Sequence, residues 1–311
     1  MPILKLYYNA FWPGFYEGTD PVTLPIFLEL LSKALDAEIE VTVRPADADI
    51  LLESLFGTSI LATKTWKYSI FFSGEQRICP QYKQYDCVLW GELTQGNVVC
   101  CSEFIPYIYS TGLLTKMENV SDTMSQLSTD MITVPKKTSI CAVISNGGGS
   151  VRNQFLDILG RYLPVEYAGR FRTNVGPIMA SYTSEEFSRF VGQYRCMIAM
   201  ENSRGEAYVT EKITHAMLAG VVPIYWGAPG VVRIFNPARF IHLKELDADS
   251  INETVNQIMA VLTDDDYFRA MVSQPIFVDG TGNPSHRLHR NLDAIAADMR
   301  LLLVGSGKVS A

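Results

Sequence analysis

Residues 196–227 read CMIAMENSRGEAYVTEKITHAMLAGVVPIYWG, and this stretch decides how the rest of the chain is read. It opens with the apolar run Met197–Met200 and closes with a second, Val221–Trp226. A polar, glycine-containing loop lies between them and passes into a helical pattern. Ile213, Ala216, Met217 and Gly220 fall at i, i+3, i+4 and i+7, so one face from Glu211 onward is apolar. Strand, loop, helix and strand in that order make the βαβ unit of a parallel sheet. Ligands of open α/β sheets bind where the loop leaves the first strand, at the carboxyl edge. Thr210 is the expected N-cap, which puts Glu211 and Lys212 in the first helical turn. Backbone N–H groups, the helix dipole and the Lys212 ammonium together suit a phosphate. Glu211 repels a bare phosphate but accepts hydrogen bonds from sugar hydroxyls. An acid beside a base at a helix start fits a nucleotide sugar, although on the dipeptide alone an ordinary solvated surface helix is the commoner source of such a pattern.

The wider phrase is more specific. It resembles the signature of the α-1,3/4-fucosyltransferase family, written E-N-S/T, a short gap, Y-V/I-T-E-K and then P-I/V-Y-W-G. Glu201, Asn202 and Ser203 match its opening, Tyr208 to Lys212 its centre, and Pro223 to Gly227 its close. The resemblance implies a GT-B architecture, two Rossmann-like domains facing across a cleft, with GDP-fucose held by the carboxyl-terminal one. An earlier segment, SNGGGSVRNQFLDILGRYL, reads as a glycine-rich turn entering a helix, and lacks the Gly-Lys-Ser/Thr of a Walker loop. A guanidinium at Arg152, in the first turn, can meet a phosphate bidentately. The family carries a similar S-N-x-x-x-x-x-R pattern whose Arg binds the diphosphate, and Ser145, Asn146 and Arg152 fit it. The implied GDP-fucose set is thus Asn146, Arg152, Asn202, Tyr208, Val209, Glu211 and Lys212. In PVEYAGRFRTNVG, Gly169 and Asn174 match a further family turn, Asn-x-x-Gly, but Gly176 arrives one residue early. A solvated loop with Arg170 and Arg172 unpaired is the alternative there.

With 48% hydrophobic and 19% charged residues, the 311-residue chain has material for two cores of about 150 residues each. The net charge of −7 argues against general nucleic-acid binding, which needs a basic surface. MPILKLYYNAFWPG does not read as a signal peptide, and no uninterrupted apolar run reaches the length of a membrane span. Cys79, Cys87, Cys100, Cys101, Cys141 and Cys196 lack the spacing of knots, so buried thiols in a reducing, cytoplasmic setting are expected. That composition is closer to the soluble bacterial or viral members of the resembled family than to its membrane-anchored Golgi members.

Ile3–Tyr8, Ile39–Val43, Ala48–Leu52, Tyr68–Phe72 and Asp86–Trp90 read as strands, with an amphipathic helix over Pro25–Leu35. The polar run Lys116–Lys137 is the expected interdomain connection, dividing a domain at 1–135 for the acceptor from one at 136–311 for the sugar donor. Ser139–Ile144 restarts the α/β pattern. Thr183 with Glu186 and Ser250 with Glu253 read as capping boxes, for helices over Ser184–Tyr194 and up to Leu262. Asp264–Asp266 reads as an N-cap with its dipole partners. His286–Leu303 is the expected terminal helix, able to pack back on the first domain, with Leu292, Ile295, Met299 and Leu302 mostly buried.

Inverting transfer needs a carboxylate to take the proton of the acceptor hydroxyl. Phe71-Phe72-Ser73-Gly74-Glu75 sets an acid directly after an apolar strand, and the family carries its proposed base in a similar phrase, Y-T/S-G-E-N. Glu75 stands in that place, followed by Gln76 instead of Asn. A later family phrase, D-Y/F-A-I-G-F-D, is matched only loosely by Asp86 to Glu92. Glu92 and Glu53 are the rival bases. Arg152 and Lys212 are expected to neutralise the departing diphosphate without a metal, since no D-x-D follows an apolar strand and no two histidines share an H-x-x-x-H pattern. The overall expectation is an inverting fucosyltransferase using GDP-fucose and no cofactor. Its acceptor is expected to be an oligosaccharide, glycolipid or glycoprotein. A different nucleotide sugar, or a non-catalytic glycan- or nucleotide-binding protein, are the alternatives.

Overall fold

A computed structural model describes residues 1–16, 23–102, 104–110, 136–285 and 288–305. The chain divides into two units. One comprises Met1–Gly112, Gly205–Tyr208 and His289–Ala311, the other Leu113–Arg204 and Val209–Leu288. Each is built on a parallel sheet with helices, the pair of Rossmann-like folds that makes up a GT-B chain. The expected connection at 116–137 lies, except for Lys136 and Lys137, outside the described residues.

The sheet of the first unit contains β1 (Ile3–Asn9), β2 (Glu38–Val41), β3 (Ile50–Glu53), β4 (Tyr68–Ser73), β5 (Cys87–Trp90) and β6 (Val98–Cys100). They lie in the order β2-β1-β3-β4-β5-β6, every pair parallel. β3 and β4 are buried at every position, which is why their sequences run apolar without alternation. β6 follows a turn and has only three residues, too few to show a period. The helix Thr23–Leu35 begins just before the expected Pro25 and buries Ile26, Phe27, Leu30, Leu31 and Ala34.

Two pieces from far along the chain complete this unit. The terminal helix, His289–Leu303, packs against Thr23–Leu35 through buried Leu292, Ile295 and Met299. At its edge Lys33 Nζ meets Asp293 Oδ1 at 2.8 Å. The second piece is Gly205–Tyr208, inside the signature stretch. The Ala207 N–H donates to the Gly91 carbonyl at 3.2 Å, and Ser102 Oγ donates to the Ala207 carbonyl at 2.7 Å. Gly91 is required for this approach, because a Cβ there would stand 3.0 Å from the Tyr208 Cα.

The second unit contains β7 (Ile140–Ala142), β8 (Val165–Tyr167), β9 (Cys196–Ile198), β10 (Val222–Tyr225) and β11 (Ile241–His242), in the order β11-β10-β9-β7-β8. β9, the helix Lys212–Leu218 and β10 form the expected parallel βαβ unit, with Val222 paired to Cys196. The chain steps from β7 outward to β8, then back past β7 to β9, so the strand order reverses between β7 and β9.

Several helix starts differ from the expected ones. Ser184, not Thr183, caps the helix Glu185–Val191, its Oγ accepting from Phe187 N at 3.2 Å. Asp247 caps Ala248–Thr263 and accepts from Ser250 N at 2.8 Å, so the Ser250 expected as the cap lies within the first turn. Asp264 caps Asp265–Val272, in line with the reading of that acidic run. The expectation for Thr210 fails: Glu211 occupies the N-cap position, and the Thr210 side chain is engaged elsewhere.

Candidate active site

In an open α/β sheet the crevice at a reversal of strand order takes the ligand. In the second unit that place is a cleft of about 210 Å³ beyond the ends of β7 and β9. Val143 to Asn146 follow β7 along one side, and Met197, Ile198, Met200 and Asn202 border the other. Arg152, Tyr182, Glu211, Lys212 and His215 complete the lining.

Glu201 organises this cleft from beneath. It lies three residues past the end of β9 and is fully buried. A buried carboxylate is costly unless it is paired and hydrogen-bonded. Glu201 Oε1 accepts from Thr210 N at 2.8 Å, while Oε2 accepts from Thr210 Oγ1 at 2.8 Å and Lys212 Nζ at 3.0 Å. Thr210 is therefore spent on Glu201, which is why it does not cap the helix. Burial pushes the Glu201 carboxyl above its usual range, and the Lys212 charge and Thr210 hydrogen bonds oppose this. Lys212 Nζ also reaches Thr210 Oγ1 at 2.7 Å and lies 3.7 Å from Glu211 Oε1. Both Lys212 and Glu211 are about one-quarter exposed, so a cation and an acid stand at the cleft wall with a fixed carboxylate behind them.

Arg152 lies in the first turn of Ser150–Leu159, which starts after Gly149 at φ 94° in the left-handed region. Its guanidinium is buried. Nη1 donates to Asn202 Oδ1 at 2.6 Å, and Nη2 donates to the Asn146 carbonyl at 2.6 Å and to that of Gly148. The Arg152 Nε has no partner among the described residues. Burial lowers its proton affinity, and Glu201 raises it again. As it stands, Arg152 ties the glycine-rich turn to Asn202, with Nε and the second N–H of Nη1 unused. Asn146 itself folds the turn, Oδ1 accepting from Gly148 N at 2.9 Å.

The expected set is only partly gathered. Asn146, Arg152, Asn202, Glu211 and Lys212 line the one cleft; Tyr208 and Val209 do not. Tyr208 is buried within the first unit, and Val209 is buried in the second. No residue of the later Gly169–Gly176 turn lines the cleft, although Phe171 N donates to the carbonyl of the lining residue Ile144 at 2.8 Å. Asn174 is structural there, bonded to Tyr167 N at 2.7 Å and the Val165 carbonyl at 2.9 Å. Arg172 is ion-paired with Asp157 at 2.6 Å rather than solvated alone.

Three residues gain roles that sequence reading missed. Glu201 stands in the signature, and an acid directly after the apolar run Met197–Met200 is the signal that it needs a partner. His215, buried within the same helix, lines the cleft, and burial pushes its imidazole down to about 4. The Tyr182 ring stacks on it at 5.4 Å and 17°, with its hydroxyl 3.1 Å from Ser145 Oγ.

At the carboxyl edge of the first sheet the three candidate bases differ sharply. Glu53 is buried and saturated by Asn9 Nδ2 at 2.6 Å, Ser59 Oγ at 2.7 Å, Ile60 N at 2.8 Å and Tyr85 OH at 2.5 Å. Glu92 is half-buried and accepts from Gln76 Nε2 at 3.3 Å. Glu75 is exposed, and no described residue bonds its carboxylate. Its backbone is fixed instead, with N–H to Ser73 Oγ at 3.3 Å and carbonyl to Trp90 Nε1 at 3.0 Å. Among the described residues no three His, Cys, Asp or Glu side chains gather as a metal site.

Residues 133–272 match glycosyltransferase family 10 (fucosyltransferase), carboxyl-terminal domain. That segment of the chain is similar to the family 10 fucosyltransferase domain. An α-(1,3)-fucosyltransferase, FucT, of Helicobacter pylori is 29% identical over 61% of this chain. That alignment covers 43% of the relative, so the chain spans less than half of that protein's length. A crystal structure of an α1,3-fucosyltransferase with GDP shares 19% identity, with a TM-score of 0.71 over 97% of this chain and 90% of that one. A similar structure with GDP-fucose shares 18%, with a TM-score of 0.69 over 98% and 91%. The match to the family 10 domain embraces every lining residue of the cleft. Among the described residues no helix is long and apolar enough to cross a membrane.

Proposed function

We propose that this chain is an inverting fucosyltransferase that moves L-fucose from GDP-fucose to a hydroxyl of a glycan acceptor, α-1,3 to GlcNAc or glucose. The carrying observation is the Glu201-anchored Lys212 beside Glu211 and Arg152, in a cleft at the reversal of strand order. The family 10 domain and the fold shared with structures of α1,3-fucosyltransferases with GDP and GDP-fucose support the reading.

In this mechanism the acceptor oxygen forms a bond to the anomeric carbon as the carbon–oxygen bond to the β-phosphate breaks. The bonding pair leaves with GDP, and the hydroxyl proton passes to Glu75. Charge grows on the β-phosphate, so a cation there stabilises the transition state more than the ground state. Lys212 serves that role, and the unused Arg152 N–H groups assist it. Glu211, Asn202 and Asn146 hold sugar hydroxyls and the nucleotide. No metal is required. The six cysteines, all thiols, support a reducing, cytoplasmic setting.

Titration calorimetry with GDP, UDP and CDP, followed by a glycan array with GDP-fucose in EDTA, tests the whole. GDP binding without UDP or CDP binding, and transfer that survives the chelator, are expected. Equal UDP binding would point to another sugar donor, and GDP binding with no transfer on any glycan would make this a binding protein. Transfer lost in EDTA and restored by manganese would overturn the metal-free step.

A further inference from the structure

β4 and β5 are adjacent and parallel, with Ser73 paired to Trp90. The register therefore brings the two strand exits to the same edge of the sheet, with Glu75 and Gln76 leaving β4 and Gly91 and Glu92 leaving β5. Trp90 is half-buried, packed beside Tyr82 at 6.4 Å between ring centroids. Its indole Nε1 donates to the Glu75 carbonyl at 3.0 Å, which pins the ring against the backbone of the proposed base. Gln76, the next residue, donates through Nε2 to Glu92 Oε1 at 3.3 Å. The Gln76 amide lies close against Gly205, where an added Cβ would stand 2.3 Å from Gln76 Oε1. Glu92 keeps its second oxygen without a partner among the described residues, and it is partly exposed.

An aromatic ring fixed beside a half-satisfied carboxylate matches the two chemistries of a pyranose. One face of the sugar ring presents C–H groups and packs on an aromatic surface, and its rim presents hydroxyls that donate to a carboxylate. We propose that Trp90 and Glu92 form the subsite for the acceptor sugar ring, the indole taking its apolar face and Glu92 Oε2 accepting from a hydroxyl. Gln76 is the positioning residue that aims Glu92. The subsite deepens the fucosyltransferase reading and rests on it for Glu75 as the base, while the binding of sugar at Trp90 stands on its own geometry.

The test uses saturation-transfer NMR of the full chain with N-acetyllactosamine and with lactose, alongside acceptor KM for transfer from GDP-fucose. In the wild type, saturation should be strongest on the C–H protons of one ring face. Trp90→Leu should raise KM and weaken sugar binding several-fold to tenfold, the usual range for losing a stacking partner. Trp90→Phe should restore most of the binding. Glu92→Gln should cost about tenfold or more, as expected for a hydrogen bond to a charged group. GDP affinity, read by calorimetry, should stay at the wild-type value in all three and reports that they fold. If Trp90→Leu does not fold, Glu92→Gln and Trp90→Phe decide alone. Unchanged sugar binding in the folded variants, or no saturation of either sugar by the wild type, overturns the subsite. Sugar binding lost with Trp90 in a chain that transfers no fucose would instead sink the fucosyltransferase reading and leave the subsite standing.

Discussion

Glu53 and Glu201 occupy equivalent places in the two units, each buried at the carboxyl end of a parallel strand, yet they are satisfied in opposite ways. Glu53 is closed off by an amide, two hydroxyls and a backbone N–H, all neutral. Glu201 shares its charge with Lys212, which itself reaches the cleft. The first edge seals its buried acid and leaves the carboxylate of a separate one, Glu75, without a partner among the described residues. The second edge uses its buried acid to hold a cation where a phosphate can meet it. An acid saturated by neutral donors is architecture, whereas an acid that grips a cation at a cleft wall sets the charge of a site.

The sharpest way to break this contrast is at the exposed acid. Glu75→Gln keeps size and polarity but cannot take a proton, so transfer should fall about 10²–10⁴-fold. GDP affinity should hold, and the acidic limb of the pH–rate profile should vanish. Normal turnover here, with collapse in Glu92→Gln, would move the base to Glu92. Next comes the cation. Lys212→Ala should lower kcat by about 10²–10³-fold and change GDP affinity less, because the lost contact strengthens as the diphosphate departs. An equal loss in both, measured by steady-state kinetics and calorimetry, would make Lys212 a ground-state binder.

The two buried acids then separate by readout. Glu201→Gln should weaken GDP binding and lower the urea midpoint, since it releases Lys212 and leaves donors facing an amide. Glu53→Gln should lower the midpoint alone, with a loss of stability of about 1–3 kcal/mol for one unsatisfied polar group. If Glu53→Gln also reduced GDP affinity, the neutral seal would not be merely architectural. The smallest effect concerns His215 and His242, which burial pushes down to about 4 from 6.5. A histidine with a depressed value in the folded state binds fewer protons there than when unfolded. Its stabilising contribution is present above pH 6.5 and is lost as the pH falls toward 4. Urea midpoints should decline across that window, and His215→Phe should flatten part of the decline; an unaltered slope would mean that His215 is not held neutral by burial.

How much the sequence revealed depends on the length scale of its signals. Strands such as Tyr68–Ser73 are buried on both faces, so their apolar runs mark them within a residue or two. The signature named Glu211, Lys212 and Asn202, and with Arg152 these meet in one cleft. Partners across long separations left no trace in pattern. Thr210 looks like an N-cap until Glu201, nine positions earlier, claims its N–H and hydroxyl. Tyr208 sits in the signature, yet its contacts lie with Gly91, because a glycine that lets a backbone approach does not announce which backbone it admits. His215 falls outside the 213, 216, 217 and 220 face, and no pattern places it in the cleft, where the Tyr182 ring stacks on it.

The assembly of the first unit from three separate stretches bears on how the chain is made. Its sheet is encoded by the first hundred residues, but Lys33 finds its partner 260 positions later, at Asp293. During synthesis the part of the helix Thr23–Leu35 that packs on His289–Leu303 must wait uncovered until that later helix leaves the ribosome. Contacts of that separation slow folding and leave intermediates prone to aggregate. Truncation before His289 would make that wait permanent.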